Sequence, residues 1–64
     1  MFNSKFKKAM SVLDTEIEYA KHMSDTYDMA YEIEPGNPKI SMQHDYWRGR
    51  RDALLELKDK MTSE

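Results

Sequence analysis

One breaker cluster governs what this chain can fold into. Glu34-Pro35-Gly36-Asn37-Pro38 places two prolines and a glycine in consecutive turn positions, and it is the only strong interruption in the sequence. Proline ends helices and glycine favours turns, so two segments must reverse on each other here. On the N-terminal side Phe6, Met10, Leu13, Ile17, Ala20, Ser24, Tyr27 and Tyr31 recur at alternating spacings of four and three, the seam of a helix. The spacing predicts helix 1 over about residues 4–34, with Asn3 or Ser4 as its N-cap. Ser24-Asp25-Thr26 offers a place where this helix could break and re-cap. The heptad phase survives across that run, so the helix is read as continuous, about 45 Å long at 1.5 Å per residue. The turn takes residues 35–37. Asn37 is then a candidate N-cap with Pro38 at the first helical position, and Ser41 is the alternative start. Ile40, Trp47, Leu54, Leu57 and Met61 form a second seam, with Gln43 and Arg50 in its remaining positions, which predicts helix 2 over about residues 38–61.

Short loops join antiparallel neighbours, so the expected fold is all-α: one domain over residues 1–64, an antiparallel two-helix hairpin in which Arg50 lies opposite Ser24. A chain of 64 residues buries only about 60% of its unfolded surface. With no cysteine and no zinc-ligand cluster to hold it, oligomerisation is the remaining common route to stability. The apolar arcs argue the same way. Val12, Tyr19, Met23 and Ala30 widen the first arc, and Met42, Tyr46, Gly49 and Ala53 widen the second, each to about 180°, where one neighbouring helix covers about 100°. The hairpin is therefore expected to assemble into a helical-bundle homo-oligomer, a homodimer or larger. Phe6, Leu13, Glu16, Ile17, Tyr27, Gly49, Leu54 and Leu57 are its expected interface residues. Gly49, which costs about 1 kcal/mol relative to alanine inside a helix, is expected to admit another backbone or a flat ligand. Arg50 sits near the middle of its arc and needs a carboxylate or phosphate. Ser24 offers only a hydroxyl, so compensation is expected from Glu16 of another chain, from water or from a ligand.

The net charge of -2 is uneven: residues 1–34 carry four lysines against seven acids, and residues 35–64 carry six Lys/Arg against five acids. This is not the basic footprint of a duplex-DNA binder. No cysteine, no Ser/His/Asp arrangement and no glycine-rich phosphate loop points to catalysis, so the chain is not expected to be an enzyme. Glu18, His22 and Asp25 share one face of helix 1, which a solvated polar face explains equally well; with two histidines in all, no metal and no cofactor are expected. Nothing resembles a signal peptide or a membrane span, which makes the cytoplasm the expected location.

Chemistry is densest in Tyr46-Trp47-Arg48-Gly49-Arg50-Arg51, which holds the single tryptophan and all three arginines, with His44 one turn before Arg48. Guanidinium groups grip phosphates and aromatic rings stack on bases, so Tyr46, Trp47, Arg48, Arg50, Arg51 and His44 are candidate ligands for an anionic, nucleotide-like molecule. The alternative is that Tyr46 and Trp47 belong to the core, Arg48 and Arg51 are solvated beside Asp45, Asp52 and Asp59, and Arg50 makes one interchain salt bridge.

Read from Tyr46 to Leu54 as Tyr-x-x-Gly-x-x-Asp-Ala-Leu, the segment resembles the helix of many very small phage-encoded proteins. These include accessory proteins and anti-defence families, among them sponges that sequester cyclic-nucleotide immune signals in pockets between subunits of a helical oligomer. The resemblance implies a non-enzymatic binder working in a host cytoplasm, with Tyr46, Trp47, Arg48, Arg50 and Arg51 near a cyclic or other nucleotide. The second functional expectation is a protein-binding helical module that inhibits or bridges a host or phage protein, using an exposed helix face such as the acidic side of helix 1.

Overall fold

A computed structural model describes residues 4–63; the cap expected at Asn3 lies outside them. Two helices make up the fold, α1 (Ser4–Ile33) and α2 (Pro38–Thr62), with no strand among the described residues. Ser4 is already helical rather than a cap. The polar run Ser24–Thr26 does not interrupt α1. The Thr26 hydroxyl donates back to the His22 carbonyl at 2.9 Å, and the Ser24 side chain turns into the hairpin, where it is buried. Both hydroxyls thus find partners without ending the helix.

The reversal is built around Asn37. Its Oδ1 accepts from the backbone N-H groups of Lys39 at 3.0 Å and Ile40 at 3.4 Å, while its Nδ2 donates to Glu34 Oε1 at 3.1 Å. Asn37 therefore caps α2, and Pro38, which lacks an N-H, stands where no intrahelical bond is required. The alternative start at Ser41 is not used, because the Ser41 N-H already donates to the Asn37 carbonyl at 3.0 Å.

Leu13, Ile17, Ala20 and Ser24 of α1 are buried against α2. No described residue of α2 is fully buried; its half-buried seam is Ile40, His44, Trp47, Arg51, Leu54, Lys58 and Met61. This corrects the expected seam, in which Gln43, Arg50 and Leu57 filled the places taken here by His44, Arg51 and Lys58. Both seams share Ile40, Trp47, Leu54 and Met61, and pairing across the hairpin separates them. His44 Nε2 lies 2.8 Å from Asp28 Oδ1, Arg51 Nη1 donates to Ser24 Oγ at 3.1 Å, and Lys58 Nζ lies 2.6 Å from Asp14 Oδ1. Each basic residue lays its stem along the seam and satisfies its head on α1. The rotation carries Leu57 outward, to 46% exposure.

The hairpin measures 51 × 17 × 13 Å, two helices wide and one helix thick. Among the described residues, both broad sides of α1 and of α2 consequently have no neighbouring helix.

Candidate functional site

On a helix, residues one and two apart diverge by about 100° and 200°, so six consecutive residues cannot share a face. The Tyr46–Arg51 segment accordingly distributes its chemistry over three sides of α2. Tyr46 and Arg50 stand on one broad side of the hairpin. Trp47 and Arg51 stand on the seam with His44. Arg48 stands on the far side, and its guanidinium makes no hydrogen bond or ion pair among the described residues.

The seam members are committed to the fold. Besides Ser24, Arg51 meets Asp52, its Nη2 lying 3.0 Å from Asp52 Oδ1. His44 is stacked on Tyr31 with ring centroids 4.7 Å apart and planes 18° apart, and its Nδ1 lies 3.3 Å from Asp45 Oδ1. Trp47 donates from Nε1 to Gln43 Oε1 at 3.0 Å and meets Tyr19 and Tyr46 edge to face, at centroid distances of 5.4 and 5.0 Å. This perpendicular geometry suits aromatic quadrupoles.

Arg50 differs from its expected setting. It does not face Ser24, which Arg51 does, and it is not left without an acid inside its own chain. Its Nη2 donates to Glu16 Oε1 of the same chain at 3.2 Å. Glu16 of another chain was one of the expected alternatives, beside water and a ligand; in the hairpin the chain's own Glu16 reaches Arg50 from one helical step outside the seam. The six candidate ligand residues thus do not converge, and no cleft or cavity opens among the described residues.

What does converge is apolar. From Ala9 to Ala30 on α1 and from Gln43 to Leu57 on α2, the residues just outside the seam on this broad side are Val12, Glu16, Tyr19, Met23, Tyr46, Arg50, Ala53 and Leu57, together with smaller or half-buried neighbours. Val12, Tyr19, Tyr46 and Leu57 remain between 46% and 58% exposed. Between those bounds Glu16 and Arg50 are the only charges among the described residues of this side, and Lys5 and Lys39 continue its helix rows beyond them. The opposite broad side carries Asp14, Lys21, Arg48 and Asp52, with Leu55 at 38% exposure beside them, so the hairpin is more polar on that side after its seam has been filled.

The expected interface residues separate accordingly. Leu13 and Ile17 are consumed by the hairpin core, and Leu54 lies half-buried on its seam. Phe6 and Tyr27 are half-buried along the α1 seam. Glu16 and Leu57 stand on the open side. Gly49 points to open space, and a Cβ there would meet nothing within 4 Å, so the hairpin itself makes no use of a close approach at that glycine.

Among the described residues no group of three His, Cys, Asp or Glu side chains is arranged to hold a metal ion, and no helix is long and apolar enough to cross a membrane. No family model matches the chain, and neither a curated protein nor a solved structure is significantly similar to it.

Proposed function

We propose that this chain is a non-enzymatic protein-interaction module whose working surface is the open apolar side of the hairpin. The observation that carries this reading is the exposure of Val12, Tyr19, Tyr46 and Leu57 together on one side, above a core in which, among the described residues, three apolar side chains are buried, Leu13, Ile17 and Ala20. Apolar surface gathered in this way gains by leaving water, about 25 cal/mol for each Å² covered. Small residues and aromatic anchors between two helices suit an apolar helical partner. The acidic side of α1 is a poorer surface for the task. Asp14 is engaged by Lys58 and Asp28 by His44, while Glu18 has Lys21 at 3.8 Å.

Nucleotide capture has less support. Arg50 and Arg51 have partners within the hairpin, Arg48 faces away from both aromatic rings, and no concavity gathers them. The resemblance of the Tyr46–Leu54 segment to small phage proteins fits a host or phage protein as partner just as well as a nucleotide.

Photo-crosslinking tests the reading. Benzoylphenylalanine in place of Tyr46 should form protein adducts that disappear when Leu57→Asp is added, while the same probe in place of Asp52, on the opposite side, should form none. Equal labelling from both positions would contradict it. So would a thermal shift with mono-, di- or cyclic nucleotides that is lost in Arg50→Met, which would restore nucleotide capture.

A further inference from the structure

The open side is uncovered by an amount that can be compared with what one partner removes. The chain exposes 5158 Å², whereas a compact monomer of 7.6 kDa exposes about 4,300 Å² by the usual scaling of surface with mass. The difference is roughly what one protein contributes to a standard interface, about 800 Å². A hairpin one helix thick also has the proportions of half a four-helix bundle.

Charge then selects both the occupant and its orientation. The central stretch of the open side carries one acid and one base, paired at 3.2 Å, and so is neutral and complementary to itself. Two copies can face each other about a two-fold axis that lies between them and runs either across the helices or along them. With the axis across the helices, α1 lies over α1, Glu16 meets Glu16 and Arg50 meets Arg50. Like charges held together in a desolvated interface are strongly unfavourable. With the axis along the helices, α1 of each copy lies over α2 of the other. Each Glu16 then gains the other copy's Arg50, and the four charges alternate in sign around a ring. The same placement sets Tyr19 of one copy over the Tyr46–Trp47 pair of the other, and Val12 over Leu57. All adjacent helices are antiparallel.

We propose that a second copy of the chain closes the open side in this second arrangement, giving an antiparallel four-helix bundle with a Glu16–Arg50 ring at its centre and both Pro35–Asn37 turns at the same end. The proposal rests on reading this side as a protein-docking surface and names its partner.

Two measurements on the whole chain test it. Sedimentation equilibrium of the unmodified protein through the micromolar range should return a dimer. Gly36 has no positive φ, and a Cβ there meets nothing within 4 Å, so Gly36→Cys introduces a single thiol into a chain that has none. A spin label on it should report an inter-copy distance well short of the 51 Å length of the hairpin. A distance near that length would place the turns at opposite ends and overturn the arrangement. A monomer at every concentration would overturn the second copy as the occupant. If position 46 nevertheless gives Leu57-dependent adducts with another protein, the docking reading survives without this proposal; if it gives none, both fail.

Discussion

The Glu16–Arg50 pair yields a prediction whose size depends on protein concentration. In the single hairpin its two side chains are 46% and 40% exposed and 3.2 Å apart, a partly solvated pair of the kind that contributes roughly 0–1 kcal/mol. Arg50→Met should therefore cost less than about 1 kcal/mol where the protein is dilute enough to be monomeric. In the closed bundle the same pair loses its water, and removing one member leaves Glu16 uncompensated, which costs about 3–5 kcal/mol. Glu16→Gln added to Arg50→Met should then recover much of the loss, because no unpaired charge remains. The assay is urea unfolding followed by far-UV circular dichroism for the unmodified chain, both single variants and the double variant, each at a dilute and a concentrated condition. The expected result is a coupling energy near zero when dilute and of several kcal/mol when concentrated. A large coupling that is the same at both concentrations would refute the reasoning, since it would mean that the pair is already dehydrated within one hairpin.

Three further outcomes follow from the hairpin itself. Ile17 is 3% exposed and Ile33 79%, so Ile17→Ala should cost about 2–5 kcal/mol and Ile33→Ala no more than about 0.5 kcal/mol; equal unfolding midpoints would contradict the burial of Ile17. Asn37→Ala removes the acceptor of two backbone N-H groups and should lower stability by about 1 kcal/mol in chemical denaturation, whereas an unchanged midpoint would place the start of α2 elsewhere. Gly49→Ala should raise stability by up to about 1 kcal/mol, because a Cβ there enters open space; a loss would show that another backbone lies against that glycine.

The two helices and their reversal were legible because one cluster holds both prolines and one of the two glycines, and because the heptad spacing of α1 is unbroken from Phe6 to Tyr31. The N-cap at Asn37 was readable from its place directly before Pro38. The phase of α2 was misread for a physical reason. Ranking positions by hydrophobicity drew Leu57 onto the seam and kept Lys58 off it, yet a lysine or arginine with a partner can bury its stem. The signal was present: His44, Arg51 and Lys58 recur every seven residues, and Asp28, Ser24 and Asp14 are spaced to meet them. The six candidate ligand residues do not share one face of α2. Residues dense along a sequence are dispersed around a helix, and Tyr46 and Arg48 end on opposite sides. The partner of Arg50 could not be read from hairpin register alone, because Glu16 reaches it from outside the seam, several residues along α1 from the position directly opposite.

A docked partner would cover the side bearing Val12, Tyr19, Tyr46 and Leu57 in the working protein. Trp47 is a built-in reporter, as the single tryptophan, half-buried and in contact with Tyr19 and Tyr46 at the edge of that side. Quenching of its fluorescence by acrylamide, measured over a dilution series, tests the claim most directly. Strong protection is expected when the protein is concentrated, lost on dilution and absent throughout in Leu57→Asp. Quenching that is equally efficient at every concentration, and unchanged by Leu57→Asp in a chain that remains helical, would contradict it.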